Sequence, residues 1–577
     1  MKKIVFALLI SLLSFSVFAK SGNSTQVIQS GHWVYDDLYT ICAETRQSQF
    51  LENQPLTVGE LKFYLRQIPY ENLSFQGKVL YDKVKAFLTK SDDFFPEQEL
   101  RFYINPRANP EFYYKSNPDI DWSFNYNYKN FLLTVPIIIG FSDYITIEPD
   151  VFIGKNYIAS KNPYNFTNIP YGGGQFEFMT PRFAYGSTGI TFDNWGVNFH
   201  VGKEQMQIGT AQLGSIIYNK NFETDAYFQL NVFSKWLKYT MNVVQVCNSK
   251  FFYTHELDFR VFSNLRLAVI EGSLLNSSFE LRYLNPFMFM HQFGSWIDYG
   301  DKLTDAEKTI YTEGHFCAYL AFALEYVPVK NVRIYAMYSQ NEILDLGGDR
   351  SDAALSVPDS LGGQLGVEVN IPVDFGYIKA YTEAVYTSPY LYIKQSPNWS
   401  LIRERNDMLT GQKVYSWMGL PYGPDCFAVK AGTNLYTSEK WSCGISYLFK
   451  MHGENYPSIF KNKIHVKNIG TEEEPEYITT DDEDYEEIYG YYPSVEYHTA
   501  DNDDERIEAK NKGRYMWITG TPEISNQIAI NGTYKFLTNL QVYGQLAYTF
   551  VYNTSNKPGL ISHGVEIALG MEYRLLK

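Results

Sequence analysis

From about residue 99 to the C terminus, apolar and polar positions alternate with a period of two. The last stretch is the plainest case. Val565, Ile567, Leu569, Met571, Tyr573 and Leu575 are apolar, and Glu566, Ala568, Gly570, Glu572 and Arg574 between them are charged or small. Leu100, Phe102 and Ile104 follow the same rule, as do Ile145-Thr146-Ile147-Glu148, Phe176-Glu177-Phe178 and Val197-Asn198-Phe199-His200-Val201. Each predicts a strand with one greasy and one polar face. Such strands build either a soluble sandwich or an outer-membrane barrel whose greasy faces meet lipid.

The connections favour the barrel. Short turns recur at Ser263-Asn264, Lys330-Asn331 and Thr538-Asn539, with variants at Ser234-Lys235 and at Thr437 to Lys440. Asn tolerates the positive φ that a tight hairpin needs. The opposite connections, residues 157–174, 298–313, 341–362, 404–425 and 450–512, are long and irregular. Short turns at one end and long loops at the other are the asymmetry of an outer-membrane barrel. The fold class is therefore mainly β, a transmembrane antiparallel barrel over residues 98–577. At about 25–30 residues per strand and its share of loop, it has about 16–20 strands.

Before residue 98 the apolar spacing is helical. Val34, Leu38, Ile41 and Cys42 share one face, as do Leu80, Val84, Phe87 and Leu88. Thr57 and Glu60 form a capping box opening a run with Leu61, Tyr64, Leu65 and Ile68. Residues 20–97 are read as a small periplasmic helical region of about three helices. Lys2 and Lys3, the apolar run that follows and Ala19 read as a secretory signal peptide over residues 1–19. No Cys follows directly, so no lipoprotein anchor is indicated.

Composition and charge sharpen this. Tyr 48, Phe 40 and Trp 9 make 17% of the chain, while mean hydropathy is only −0.27. A polar average with abundant aromatics suits a barrel, because only alternate residues face lipid. The net charge of −15 is matched by the acids between Glu472 and Glu505, a stretch without Lys or Arg. Nucleic acid is not an expected partner. Cys42, Cys247, Cys317, Cys426 and Cys443 are too scattered for a disulfide framework or a metal site and read as packing residues, with one bridge left open.

Chemical motifs are absent where an enzyme needs them. Tyr171-Gly172-Gly173-Gly174 lacks the Lys and Ser/Thr of a phosphate loop, and His255-Glu256 lacks the second His of a zinc protease. No enzymatic activity, cofactor or metal is expected. The long acidic loop, residues 450–512, supplies the candidate ligand residues. Asp481, Asp482, Glu483 and Asp484 offer hard oxygens for sugars or divalent cations, and Tyr485, Tyr489, Tyr491 and Tyr492 offer ring faces for sugars. A solvated, self-repelling loop accounts for the same residues.

Two stretches resemble the Wzi-type capsule assembly family of outer-membrane barrels. One runs from Gly202 through Gln205 to Gly209, then through Gly214 and Ser215 to Asn219, as a strand, a turn and a second, Ser-led apolar strand. The other is Leu284-Asn285-Pro286-Phe287. The turn Ile208-Gly209-Thr210-Ala211 departs from the family's pattern in lacking Trp and Pro. The resemblance implies an eighteen-stranded barrel acting as a surface lectin for capsular polysaccharide, in the outer membrane of a diderm, Gram-negative-type cell. Expected partners are outer-membrane lipid, the barrel-assembly machinery and extracellular polysaccharide, with the chain a monomer. A transport pore for small or hydrophobic solutes and a surface adhesin are the alternative functions.

Overall fold

The computed structural model describes residues 23–90, 100–120, 130–155, 166–170, 175–178, 183–287, 289–290, 316–342, 358–394, 397–406, 413–437, 440–454, 463–471, 477–480, 485–489 and 502–575. The signal-peptide reading lies outside them.

Eighteen antiparallel strands close into a barrel. They are β1 (in three pieces, Leu100–Ile104, Arg107–Ala108 and Glu111–Lys115), β2 (Leu133–Phe141), β3 (Ile145–Lys155), β4 (Ala184–Thr191), β5 (Trp195–Lys203), β6 (Ala226–Ser234), β7 (Leu237–Cys247), β8 (Lys250–Phe262) and β9 (Leu265–Leu275). They continue as β10 (Phe316–Tyr326), β11 (Val332–Glu342), β12 (Ser360–Val373), β13 (Gly376–Thr387), β14 (Cys426–Tyr436), β15 (Trp441–His452), β16 (Glu523–Leu537), β17 (Leu540–Tyr552) and β18 (Ile561–Arg574). Each pairs with its sequence neighbours, and β18 closes the ring on β1, with Leu569 opposite Phe112 and Tyr573 opposite Ala108. Pro106 and Pro110 lack the N–H a ladder needs, so β1 is broken at both. Their carbonyls still accept, from Leu575 N at 2.9 Å and Met571 N at 3.2 Å.

The wall follows the alternation of β18. Ala568 is 0% exposed and faces the lumen, whereas Leu569 is 58% exposed on the outside. At the short-turn end, Phe192 and Trp195 sit 4.8 Å apart, Phe375 stacks on Trp441 at 5.9 Å, and Tyr534 meets Phe536 at 4.8 Å. An apolar outer face with an aromatic girdle, on a closed barrel, is a transmembrane wall. The chain is an outer-membrane barrel, with no helix among the described residues long and apolar enough to cross.

The short turns fall where the sequence places them. Only Asn331 uses positive φ (68°). Asn264 and Asn539 instead donate through Nδ2 to neighbouring backbone, at Val327 O (3.0 Å) in the next turn and at Arg574 O (3.2 Å) at the end of β18. All five cysteines are free, and burial pushes the Cys42 thiol up.

The N-terminal helices are α1 (Trp33–Glu44), α2 (Val58–Leu65) and α3 (Phe75–Thr89). They pack around Leu38, Leu61, Tyr64 and Val84, and that core runs on into Phe233 and Tyr377 at the turn end of the wall. Thr57 caps α2 by accepting from Glu60 N at 3.3 Å. The reciprocal half of the expected box is absent, because Glu60 turns into the barrel and meets Lys238 at 2.7 Å.

Two expectations are corrected. Residues 213–219 form no wall strand. Beyond β5, Gln207–Ile208 pairs with Asn53–Gln54 from the N-terminal region, and the stretch that follows lies inside the lumen. The connection over residues 404–425 is not irregular throughout its described part either. Ile402–Asn406 and Lys413–Trp417 form a hairpin whose residues join the same interior core. In both cases apolar side chains that the wall cannot take are buried together inside it.

One feature sits outside the wall. His255, on the outer face of β8, donates from Nε2 to the Tyr283 carbonyl at 3.0 Å. Tyr283 is fully buried against Val243, Tyr253, Leu275 and Met290. The segment after β9 therefore folds back over lipid-facing positions and gives a polar outer-wall residue its partner.

Candidate functional site

The lumen is crossed by three segments. The first descends from the helices at the turn end. Glu52 pairs with Arg266 at 2.9 Å and with Arg333 at 3.7 Å. Arg333 also meets Glu325 (2.9 Å) and Glu368 (3.2 Å), and lies over the Tyr39 ring at 4.1 Å. Glu60 and Lys238 are both 0% exposed. Asn53 donates to Glu256 and accepts from Gln229 Nε2 at 2.7 Å. Charged residues on the polar faces of β7 to β12, with Gln229 of β6, thus become a socket for the N-terminal region. Desolvated charges persist only when paired in this way.

The second segment, residues 204–224, carries the residues of the family resemblance. Gln205 offers its carbonyl to Ser30. Gly209 (φ 83°) donates its N–H to Glu52 O at 3.0 Å, and a Cβ there would strike Met337. Gly214 (φ 93°) is equally confined, against Pro421. Ser215 Oγ donates to Ile208 O and accepts from Ile217 N at 3.0 Å, which pins the turn. The wall holds this segment by its backbone. Glu383 accepts from Gln212 N (2.7 Å) and Leu213 N (2.9 Å), and Gln364 accepts from Ile216 N at 3.0 Å.

The third segment lies between β13 and β14. Tyr392 Oη donates to Ile216 O at 2.6 Å, and Met418 O accepts from Asn219 N at 2.7 Å. Tyr392, Leu401, Trp417 and Leu420 join Ile216, Ile217 and Tyr218 in one core with Ile270 and Leu274 of the wall. The loop-end half of the lumen is an apolar interior. The sequence carries a signal for it. Val243-Val244 and Leu274-Leu275 are apolar on both faces, so the alternation fails where the lumen is filled.

Above this floor, at the loop end, partly exposed rings and charges face out. Arg403 pairs with Asp225 at 2.7 Å and Arg405 with Glu223 at 3.0 Å, on the hairpin that also carries half-buried Tyr415, while half-buried Tyr422 lies under the Lys450 ammonium, 5.0 Å from its ring centroid. Sequence reasoning missed this group, because its members come from loops either side of distant strands. Aromatic faces beside carboxylates and guanidiniums can stack on sugar rings and bond their hydroxyls.

The acidic loop is partly built. Lys463–Asn468 pairs with both Tyr477–Thr479 and Glu486–Tyr489, and a further helix, Asp503–Gly513, follows. Tyr485 is 45% exposed and stacks on His465 with ring centroids 3.7 Å apart. Tyr489 lies opposite Lys463 in the small sheet. Asp481, Asp482, Glu483, Asp484, Tyr491 and Tyr492 lie outside the described residues. Asn285, followed by Pro286, accepts from Phe287 N at 3.1 Å, and Phe287 is 92% exposed.

No family model and no curated protein matches the chain. Solved structures do. Wzi of Escherichia coli is an outer-membrane protein involved in group 1 capsule assembly and described as a carbohydrate-binding β-barrel. It matches with a TM-score of 0.56 and 12% identity, over 95% of this chain and 98% of that one. OprD of Pseudomonas aeruginosa (TM-score 0.37, 8% identity, 82% and 95% covered) and the channel DcaP of Acinetobacter baumannii (0.32, 10%, 82% and 97%) match less well. The fold of this chain is that of a Wzi-like outer-membrane barrel.

Proposed function

We propose that this barrel holds an extracellular, capsule-type polysaccharide at the cell surface without catalysing a reaction. The observation that carries the reading is a lumen filled by wall-bonded segments, beneath a loop-end face of rings and charges. A filled barrel suits a surface holder better than a conduit. The likeness in fold to a carbohydrate-binding barrel of capsule assembly supports the same reading. Tyr485 on His465, Tyr415 on the hairpin that carries Arg403 and Arg405, and Tyr422 beside Lys450 are the ring faces assigned to sugar.

Two measurements test it. Full-length protein in detergent should bind purified capsular polysaccharide, and a deletion strain should shed that polysaccharide into the medium. Absence of both effects would sink the proposal. In planar bilayers the protein should be electrically silent. Steady porin-like conductance would favour the transport pore instead.

A further inference from the structure

Between α2, α3 and the barrel rim lies a half-open cavity of roughly 300 Å³. Lys62, Arg66 and Lys85 line it together with Leu65, Leu88 and Tyr81. Among the described residues no carboxylate lines it. Two stand nearby. Asp143 is occupied by Ser24, whose N–H and Oγ donate to it at 2.7 and 2.8 Å. Asp193, at a hairpin tip, meets Arg66 at 3.5 Å, but the two side chains are 96% and 54% exposed. An ion pair so open to water holds its partners weakly. Lys62 donates to the neutral Asn23 Oδ1 at 2.7 Å, and burial draws its pKa down against the pull of Asp143. Three cations therefore converge on a space to which the described residues supply little counter-charge.

The position narrows the ligand. Thr191 forms part of the lining and is followed directly by Phe192, which packs on Trp195 in the turn-end aromatic girdle. Such girdles mark the level of lipid headgroups. We propose that the cavity binds the phosphate headgroup of a phospholipid of the adjacent leaflet, which ties the helical region to the membrane. Leu65, Leu88 and Tyr81 give the glycerol backbone an apolar floor. This site is independent of polysaccharide binding at the other end of the barrel.

The test uses the full chain in a neutral detergent, with dihexanoylphosphatidylglycerol and inorganic phosphate as separate probes. Wild-type protein should bind the lipid more tightly than phosphate. Lys62→Gln with Lys85→Gln should weaken lipid binding about a hundredfold, about tenfold for each lost charge-assisted bond. Heat-modifiable gel mobility should be unchanged. Lys85→Gln alone, at an exposed position on α3, should weaken binding with no effect on folding. Equal lipid binding by the double variant, or none by wild type, would overturn the site. Equal affinity for phosphate and lipid would overturn the lipid assignment and leave an anion site.

Discussion

Residues 44–60 and residues 204–224 meet inside the same lumen, through the strand pair Asn53–Gln54 and Gln207–Ile208, yet they are held there by different forces. The first is fixed by charge. Glu52 and Glu60 reach Arg266, Arg333 and Lys238 of the wall, and Glu44 accepts from Tyr377 Oη at 2.6 Å. The second is fixed by apolar burial and by its own backbone, bonded to Glu383 and Gln364. Buried ion pairs add little net stability over an apolar replacement, but losing one partner is costly. The charged socket therefore fixes where the helical region sits, whereas the apolar segment behaves as ordinary core.

The largest break in this comparison is Glu60→Ala. It leaves Lys238 buried without its carboxylate, at a cost of about 3–5 kcal/mol. Limited proteolysis in detergent should then cut residues 23–90 while the barrel stays heat-modifiable. Adding Lys238→Met should restore much of the protection, because no unpaired charge remains. Next comes Glu383→Gln. One carboxylate oxygen becomes a donor facing either Gln212 N and Tyr335 Oη or Leu213 N and Gln364 Nε2, for about 1–3 kcal/mol. This variant should lower the melting temperature of the whole barrel without exposing the helices to protease. Ile216→Val removes one buried methylene at a fully buried site, about 0.5–1.5 kcal/mol, and should act on melting in the same way. If Glu383→Gln released the helices and Glu60→Ala did not, the division between charge-held and core-held segments would be wrong.

The same difference explains what the sequence could disclose. The wall was legible because lipid imposes a strict alternation, seen from Val565 to Leu575, and because hairpin turns punctuate it. The helices were legible from their apolar spacing and the Thr57 cap. The lumen filling was not. A short apolar run such as Leu213 to Tyr218 hides its side chains whether it lies in a wall or inside one, and periodicity alone does not separate the two. Glu60 read as a capping residue because local spacing says nothing of Lys238, which lies far along the chain. The outer-wall segment around Tyr283 was hidden for the same reason, since its partner is His255 on a neighbouring strand. Of the candidate ligand residues, Tyr489 falls in the small sheet of the acidic loop and Tyr485 directly precedes its strand, while Arg403, Arg405 and Tyr415 come together only through the inward hairpin.

The smallest expected effect separates the socket from the rim. Arg66 of the α2 C-cap and Asp193 of the hairpin between β4 and β5 also join the helices to the barrel, at 3.5 Å. That pair stands in water, where both side chains keep most of their hydration in either state and salt screens what attraction remains. Asp193→Asn should therefore leave melting temperature and protease resistance within error, at low and at high salt. The Glu60–Lys238 pair is sealed from solvent, so high salt should not release the helices from wild-type protein either. If Asp193→Asn freed residues 23–90 as readily as Glu60→Ala, the helices would be held at the rim. The ion pairs inside the lumen would then be a consequence of docking and not its cause.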